Sequence, residues 1–224
     1  MDGPDSDVRA RLLAMVRERG YRRSAEPFVL SSGGTSFDYV DLRRAVARGE
    51  DLRLAAEAVA GAVTEAVDAA LGAAAGTSPR FDAIGGMTMG ADPVAHAVAL
   101  LTSTSWFSVR KGEKTHGSRR RVEGAELGPG VRAVVFEDTV STGRSLLEAL
   151  DVVAATGAEI VLACTILDRG ELAAPRLADR KIPYLALLGY ADLGIEAIGA
   201  GASAGAGPGA REAAGGTGAE PART

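Results

Sequence analysis

An α/β fold built on a mostly parallel sheet flanked by helices is what this sequence predicts, and three observations predict it. Short apolar runs rich in Val, Ile and Leu alternate with helix-patterned segments between residues 81 and 188. Strand–helix–strand alternation of that kind closes into a parallel sheet covered on both faces. Glycine or hydroxyl clusters follow two of the runs and lead directly into helices. The 224 residues suffice for one well-buried domain of this class, with some to spare.

Taken in order, residues 8–19 predict a short amphipathic helix, with Leu12, Leu13 and Val16 at helical spacing. Two extended runs follow, 27–30 and 36–41, separated by Ser31-Ser32-Gly33-Gly34. Residues 51–71 predict a long Ala-rich helix whose Leu52, Ala55, Ala56, Val59 and Val63 form one apolar stripe, and 72–79 is a linker of small residues. A strand over 81–84 ends in Gly85-Gly86 and leads to a helix over 92–101. Pro93 lies in the first turn of that helix, where its missing N–H costs nothing.

Residues 106–109 predict a strand, and 110–130, polar and punctuated by glycine, a loop with at most a little local β structure. The pattern then gives a strand at 131–136, a helix at 143–156, a strand at 159–167, a helix at 173–179 and a last strand at 184–188. From residue 199 the chain is mostly Gly and Ala without apolar periodicity. Such a segment buries too little to offset its ordering entropy and reads as a disordered tail. The expected organisation is an N-terminal helix and hairpin region over 1–48, a core over 49–198 and a tail over 199–224.

Composition narrows the function. Hydrophobic residues make up 46% and aromatics only 4%, so Ala, Val and Leu must fill most of the core. A formal charge of -4 and a pI near 5.3 argue against a nucleic-acid partner, which a basic face would accompany. Basic residues cluster between Arg110 and Arg121, which suits a small polyanion such as a phosphorylated metabolite. The single cysteine, Cys164, sits in an apolar run and reads as a buried structural thiol. Two histidines far apart in sequence give no support to a Cys/His zinc site. The polar, acidic first residues lack the regions of a signal peptide, and no apolar run approaches the roughly 18 residues that span a bilayer. A cytoplasmic protein without a membrane partner is the expectation.

The most informative stretch runs from Val131 to Ser145. An apolar strand leads to Glu137 and Asp138, passes through the hydroxyl-rich Thr139-Val140-Ser141-Thr142 with Gly143, and enters a helix. Backbone N–H groups and the hydroxyls of Ser141, Thr142 and Ser145 would meet an anion at the helix N-terminus, where the dipole favours negative charge. Ligands of open α/β sheets bind at the carboxyl ends of strands, where this turn lies. Two carboxylates beside a phosphate repel it unless something intervenes. A ribose with vicinal hydroxyls offers donors, and a magnesium ion carried by a diphosphate offers a cation. The plainer alternative is a capped helix with solvated acids, which leaves the company of hydroxyls, acids and glycine unexplained.

Glu137-Asp138-Thr139-Val140-Ser141-Thr142-Gly143-Arg144-Ser145 resembles the motif by which type I phosphoribosyltransferases bind 5-phosphoribosyl-1-pyrophosphate (PRPP). The resemblance implies the type I phosphoribosyltransferase fold, with a small N-terminal hood of helix and β-hairpin over the core. It implies that the acidic pair holds the ribose hydroxyls and that residues through Ser145 cradle the 5′-phosphate.

Further segments resemble orotate phosphoribosyltransferase in particular. Arg110-Lys111-Gly112-Glu113-Lys114-Thr115-His116-Gly117 matches that family's mobile loop, which implies Arg110, Lys111, Lys114 and His116 as diphosphate ligands. Cations aimed at a departing diphosphate stabilise charge where it develops. Phe28 to Gly33 with Ser36 to Arg43 resembles the family's hairpin, and Tyr39 there could flank orotate. Gly85-Gly86-Met87-Thr88-Met89-Gly90-Ala91-Asp92-Pro93 resembles the loop that runs along the diphosphate, and Leu187 to Gly194 the end of actinobacterial members. Arg169 falls where the family carries an orotate-binding arginine, and a guanidinium fork can meet two acceptors of that base at once.

The resemblance thus implies Lys111, Lys114 and Asp138 as catalytic residues and Ser141, Arg169 and Tyr39 at orotate. It also implies Mg²⁺ held mainly by PRPP rather than by protein ligands, and a homodimer whose active sites are shared between subunits. Many members carry Lys in place of Ser31 and another Lys near Gly90; their loss leaves more of the diphosphate charge to Mg²⁺ and the basic loop. Two alternatives stay open: a phosphoribosyltransferase acting on another base, and a non-catalytic sensor of PRPP or a nucleotide on the same fold.

Overall fold

The computed structural model describes residues 4–29, 35–70, 72, 80–112, 121–170 and 172–195. The expected tail from residue 199, most of the linker over 72–79, and Ser31, Lys114 and His116 lie outside the described residues.

The chain opens with α1 (Pro4–Met15), continued by a wider π turn (Val16–Gly20). A two-stranded antiparallel hood follows, β1 (Tyr21–Val29) and β2 (Thr35–Val40), with Arg22 opposite Tyr39 and Arg23 opposite Asp38. A single turn, α2 (Leu42–Ala45), connects to the long α3 (Gly49–Ala70). The Asp41 side chain accepts from Arg44 N and starts α2. Arg19 and Asp51 form an ion pair at 3.2 Å that ties the π turn to α3.

The core then alternates β3 (Ala83–Met87), α4 (Asp92–Thr102), β4 (Ser105–Val109), β5 (Val122–Gly124), β6 (Arg132–Val140), α5 (Arg144–Ala154), β7 (Glu159–Asp168), α6 (Ala173–Asp179), β8 (Tyr184–Gly189) and α7 (Tyr190–Leu193). The strand order is β5-β4-β3-β6-β7-β8. Every pairing is parallel except that of β5, which lies antiparallel on one edge.

The sheet is buried on both faces because its central strands carry unbroken apolar runs, residues 133–136 in β6 and 160–164 in β7. Along β6 the period of two sends Val134 and Phe136 into a layer with Leu12, Val59, Val63 and Val94 of the helices α1, α3 and α4. Ala133 and Val135 enter the opposite layer with Leu146, Leu150 and Val153 of α5 and Leu177 of α6. Cys164 is wholly buried in the first layer as a free thiol. Among the described residues no helix is long and apolar enough to cross a membrane.

Three expectations need correction. The strand expected to stop at Phe136 runs on to Val140, pairing Thr139 with Leu167 and Val140 with Asp168. Glu137 and Asp138 therefore stand on the end of a strand, and the turn proper is Ser141–Gly143; the neighbouring β7 supplies backbone partners whatever the side chains are. Gly85 and Gly86 lie inside β3 rather than after it. A Cβ there would come within 1.9 Å of the Phe107 carbonyl oxygen and 1.8 Å of the Phe136 carbonyl oxygen, so the strands approach too closely for any side chain. The first hood strand begins at Tyr21, not at residue 27, and the short α2 and α7 were not anticipated.

Candidate active site

Parallel order brings the carboxyl ends of β3, β4, β6 and β7 to one side of the sheet, where this class of fold places ligands. At the end of β6, Glu137 is largely buried and its Oε2 has no hydrogen-bond partner among the described residues. Burial pushes its carboxyl up to about 8; the neighbouring Asp138 charge adds to this and Lys111 offsets part of it. Asp138 is also raised by burial, against the pull of the Thr139 N–H, at 2.9 Å from Oδ1, and of the Arg43 and Arg169 charges. Gly90 faces this acid so closely that a Cβ on it would lie 2.6 Å from Asp138 Oδ1.

Beyond Val140, itself buried, the chain turns through the half-buried Ser141 and Thr142 to Gly143, whose φ of 75° suits glycine. Arg144, exposed, and Ser145, half-buried, begin α5. No side chain caps this helix, so the N–H groups of its first turn are left for an external acceptor. Arg176 on α6 donates to the Thr142 carbonyl at 2.9 Å and pins the turn from behind.

On the other flank, Arg110 and Lys111 follow β4 and line a cavity of about 490 Å³ with Thr88, Ser108, Gly112 and Glu123. Arg110 reaches Glu123 at 3.4 Å. The Arg121 fork closes on the Arg110 carbonyl at 3.1 and 2.8 Å and contacts Glu148 of α5, so the two ends of the basic segment are fastened together. Lys111 acts on the charge of Glu137.

The hood completes the site. Tyr39 packs its ring 5.2 Å from Phe28 and carries the Arg169 guanidinium carbon 5.9 Å from its centre. Arg169 donates from Nη2 to the Val40 carbonyl at 2.7 Å, while its Nε is buried with no partner among the described residues. The structure thus gathers Tyr39, Lys111, Glu137, Asp138, Arg169 and the turn through Ser145 at one end of the sheet, with Arg110 at its margin.

Residue-by-residue reading missed three contributors. Arg43, whose charge acts on Asp138, was read only as part of the hairpin pattern. Thr88 and Ser108 lie on elements recognised as a turn and a strand, and only the fold brings their hydroxyls to one cavity. Among the described residues no group of three or more His, Cys, Asp or Glu side chains is arranged to hold a metal.

The buried acids predict a pH dependence of stability. Glu137 has its carboxyl raised from 4.5 to about 8, so the fold favours its protonated form. The associated stability is present below about pH 4.5 and is lost as pH rises through about 8. The ligand-free protein should melt at falling temperature between pH 5 and about 8.5, and Glu137→Gln should flatten that slope. Thermal melting across this range reads it; an unchanged slope in the variant would contradict the assignment.

No protein-family model matches the chain. Among curated proteins it is 41% identical to orotate phosphoribosyltransferase of Streptomyces coelicolor over 197 residues, covering 85% of this chain and 100% of the relative. It is 37% identical to that of Mycobacterium tuberculosis over 198 residues, covering 88% and 100%. Among solved structures it resembles M. tuberculosis orotate phosphoribosyltransferase in complex with Fe(III) dicitrate, with a TM-score of 0.67, 34% identity and coverage of 84% and 99%. The structure of the M. tuberculosis protein in complex with PRPP matches with a TM-score of 0.62 and 31% identity, covering 86% and 93%.

Proposed function

This chain belongs to the orotate phosphoribosyltransferase family, and on that premise we propose how its own residues divide the transfer of the 5-phosphoribosyl group of PRPP to orotate. The products are orotidine 5′-phosphate and pyrophosphate, a step of pyrimidine nucleotide synthesis. One observation carries the residue assignment: Glu137 Oε2, without a hydrogen-bond partner among the described residues, beside Asp138 and between an uncapped helix start and the Lys111 charge.

Vicinal ribose hydroxyls would supply a donor to Glu137 and a further one to Asp138, which already accepts from the Thr139 N–H. The 5′-phosphate would take the turn from Thr139 to Ser145, which offers the free N–H groups at the start of α5 and the hydroxyls of Ser141, Thr142 and Ser145. The diphosphate lies toward Arg110 and Lys111, with Lys114 and His116 expected from the same segment. Orotate lies against the Tyr39 region with the Arg169 fork on its polar edge, close to Ser141. With sugar and base held in line, positioning supplies much of the acceleration. Arg110, Lys111 and Lys114 stabilise the charge that gathers on the leaving diphosphate.

Mg²⁺ fits as the substrate's own companion ion: it would ride on PRPP and supply positive charge near the acidic pair. The reading includes a cytoplasmic homodimer with shared sites. It is supported by apolar side chains left bare on α4 and β4, with Leu100 82% and Trp106 42% exposed. Nucleic acid and membrane are not part of it.

Arg169→Ala tests the choice of base. Removing a charged donor costs about 1.5–3 kcal/mol, so KM for orotate should rise about 10- to 100-fold, with a smaller loss of PRPP affinity because Arg169 also acts on the charge of Asp138. An unchanged KM for orotate would favour a different base.

A further inference from the structure

A carboxylate that the proposed function leaves unused organises the PRPP half of the site. Asp92 is the first residue of α4, followed by Pro93. Its Oδ2 accepts from Thr88 Oγ1 at 2.6 Å and its Oδ1 from Ser108 Oγ at 2.7 Å. One side chain thereby joins the turn after β3 to the end of β4. The main chain repeats the link, with Thr88 N donating to the Val109 carbonyl at 2.9 Å.

Both hydroxyls line the cavity shared with Arg110 and Lys111. A hydroxyl has a single hydrogen, and here each is directed to Asp92, so lone pairs alone are left to face the cavity. Arg110 and Lys111 line the same cavity beside these acceptors. At the far end of the same turn, Gly90 abuts the Asp138 carboxyl. The turn from Thr88 to Gly90 is therefore fastened at one end by Asp92 and touches the sugar-binding acid at the other. Ser108 is buried at 9% exposure, which keeps water from competing for its hydrogen bond.

We propose that Asp92 is a positioning residue for PRPP: through Thr88 and Ser108 it fixes the turn that backs Asp138 and the wall that faces the basic segment. The inference rests on the orotate phosphoribosyltransferase reading. It predicts a loss concentrated on PRPP, because among the described residues the Asp92 side chain bonds Thr88 and Ser108 and makes no hydrogen bond to the hood or to Arg169.

The test compares wild type with Asp92→Ala, Asp92→Asn, Thr88→Val and the Asp92→Ala/Thr88→Val double variant. PRPP affinity is measured by titration calorimetry, KM for orotate at saturating PRPP, and folding by thermal melting. Asn has nearly the same shape but only one acceptor oxygen, so one of the two hydroxyls must turn away. Should the Ala variant fail to fold, Asn carries the comparison.

The dissociation constant for PRPP should rise about tenfold or more in both Asp92 variants, with KM for orotate within about threefold of wild type. Thr88→Val should change PRPP affinity by less than about twofold in the Asp92→Ala background, because the two act as one unit. Unaltered PRPP affinity with a lower melting temperature, an equal weakening toward both substrates, or independent effects of the two substitutions would each overturn the proposal. Wild-type protein that binds PRPP yet leaves orotate untouched would instead overturn the reading beneath it.

Discussion

Glu137→Gln combined with Asp138→Asn lowers orotidine 5′-phosphate formation by about 10²- to 10⁴-fold, at about 1.5–3 kcal/mol for each charge-assisted hydrogen bond lost to the ribose. The protein should nevertheless fold, and melt at or above the wild-type temperature near neutral pH. Burial raises both carboxyls, and Glu137 Oε2 has no hydrogen-bond partner among the described residues, the Lys111 charge offsetting only part of the cost. Neutral amides remove that cost. Opposite movement of activity and stability is the mark of groups kept for a ligand rather than for the fold. Steady-state rates and melting curves on the same preparations measure it. A variant that keeps its rate, or that unfolds, contradicts the role given to this pair.

Gly86→Ala has the largest expected effect on the fold. The new methyl would stand 1.8 Å from the Phe136 carbonyl oxygen and 3.1 Å from Ala91 Cβ. Backbone cannot step aside there, since β3 is held between β4 and β6. Forcing the strands apart should cost more than about 4 kcal/mol, a large part of the roughly 5–15 kcal/mol that stabilises a domain. Gly49→Ala is the control. It opens α3 with nothing within 4 Å of an added Cβ, and its melting temperature should hold or rise. Soluble, cooperatively melting Gly86→Ala protein would show that the strand contact is looser than described.

How far the sequence could be read depended on whether a residue's role was local. Strong apolar runs and periodic helices gave α4, α6, β7 and β8 to within a residue or two, because their signals lie inside the element. β6 was cut short at Phe136 because Glu137-Asp138-Thr139 looks like a turn. Its continuation depends on backbone pairing with β7, which side-chain pattern does not report. Gly85-Gly86 likewise reads as punctuation, whereas the cause of both glycines is the carbonyl oxygens of strands 20 or more residues away.

The same division holds at the site. The acidic pair, the hydroxyl turn and Arg169 were visible because a family resemblance marks each within a short stretch. The contacts of Arg43 and Asp92 were not, although both lie in stretches the resemblance covers, since each acts across elements distant in sequence: Arg43 on Asp138, and Asp92 on Ser108.

Orotate absorbance is followed with PRPP and Mg²⁺, with uracil, hypoxanthine and adenine as rival bases and a chelator arm for the metal. PRPP-dependent loss of orotate is expected, with none of the other three bases consumed at a comparable rate and arrest when the metal is chelated. Folded protein that leaves orotate unchanged, or that prefers another base, would contradict the orotate assignment.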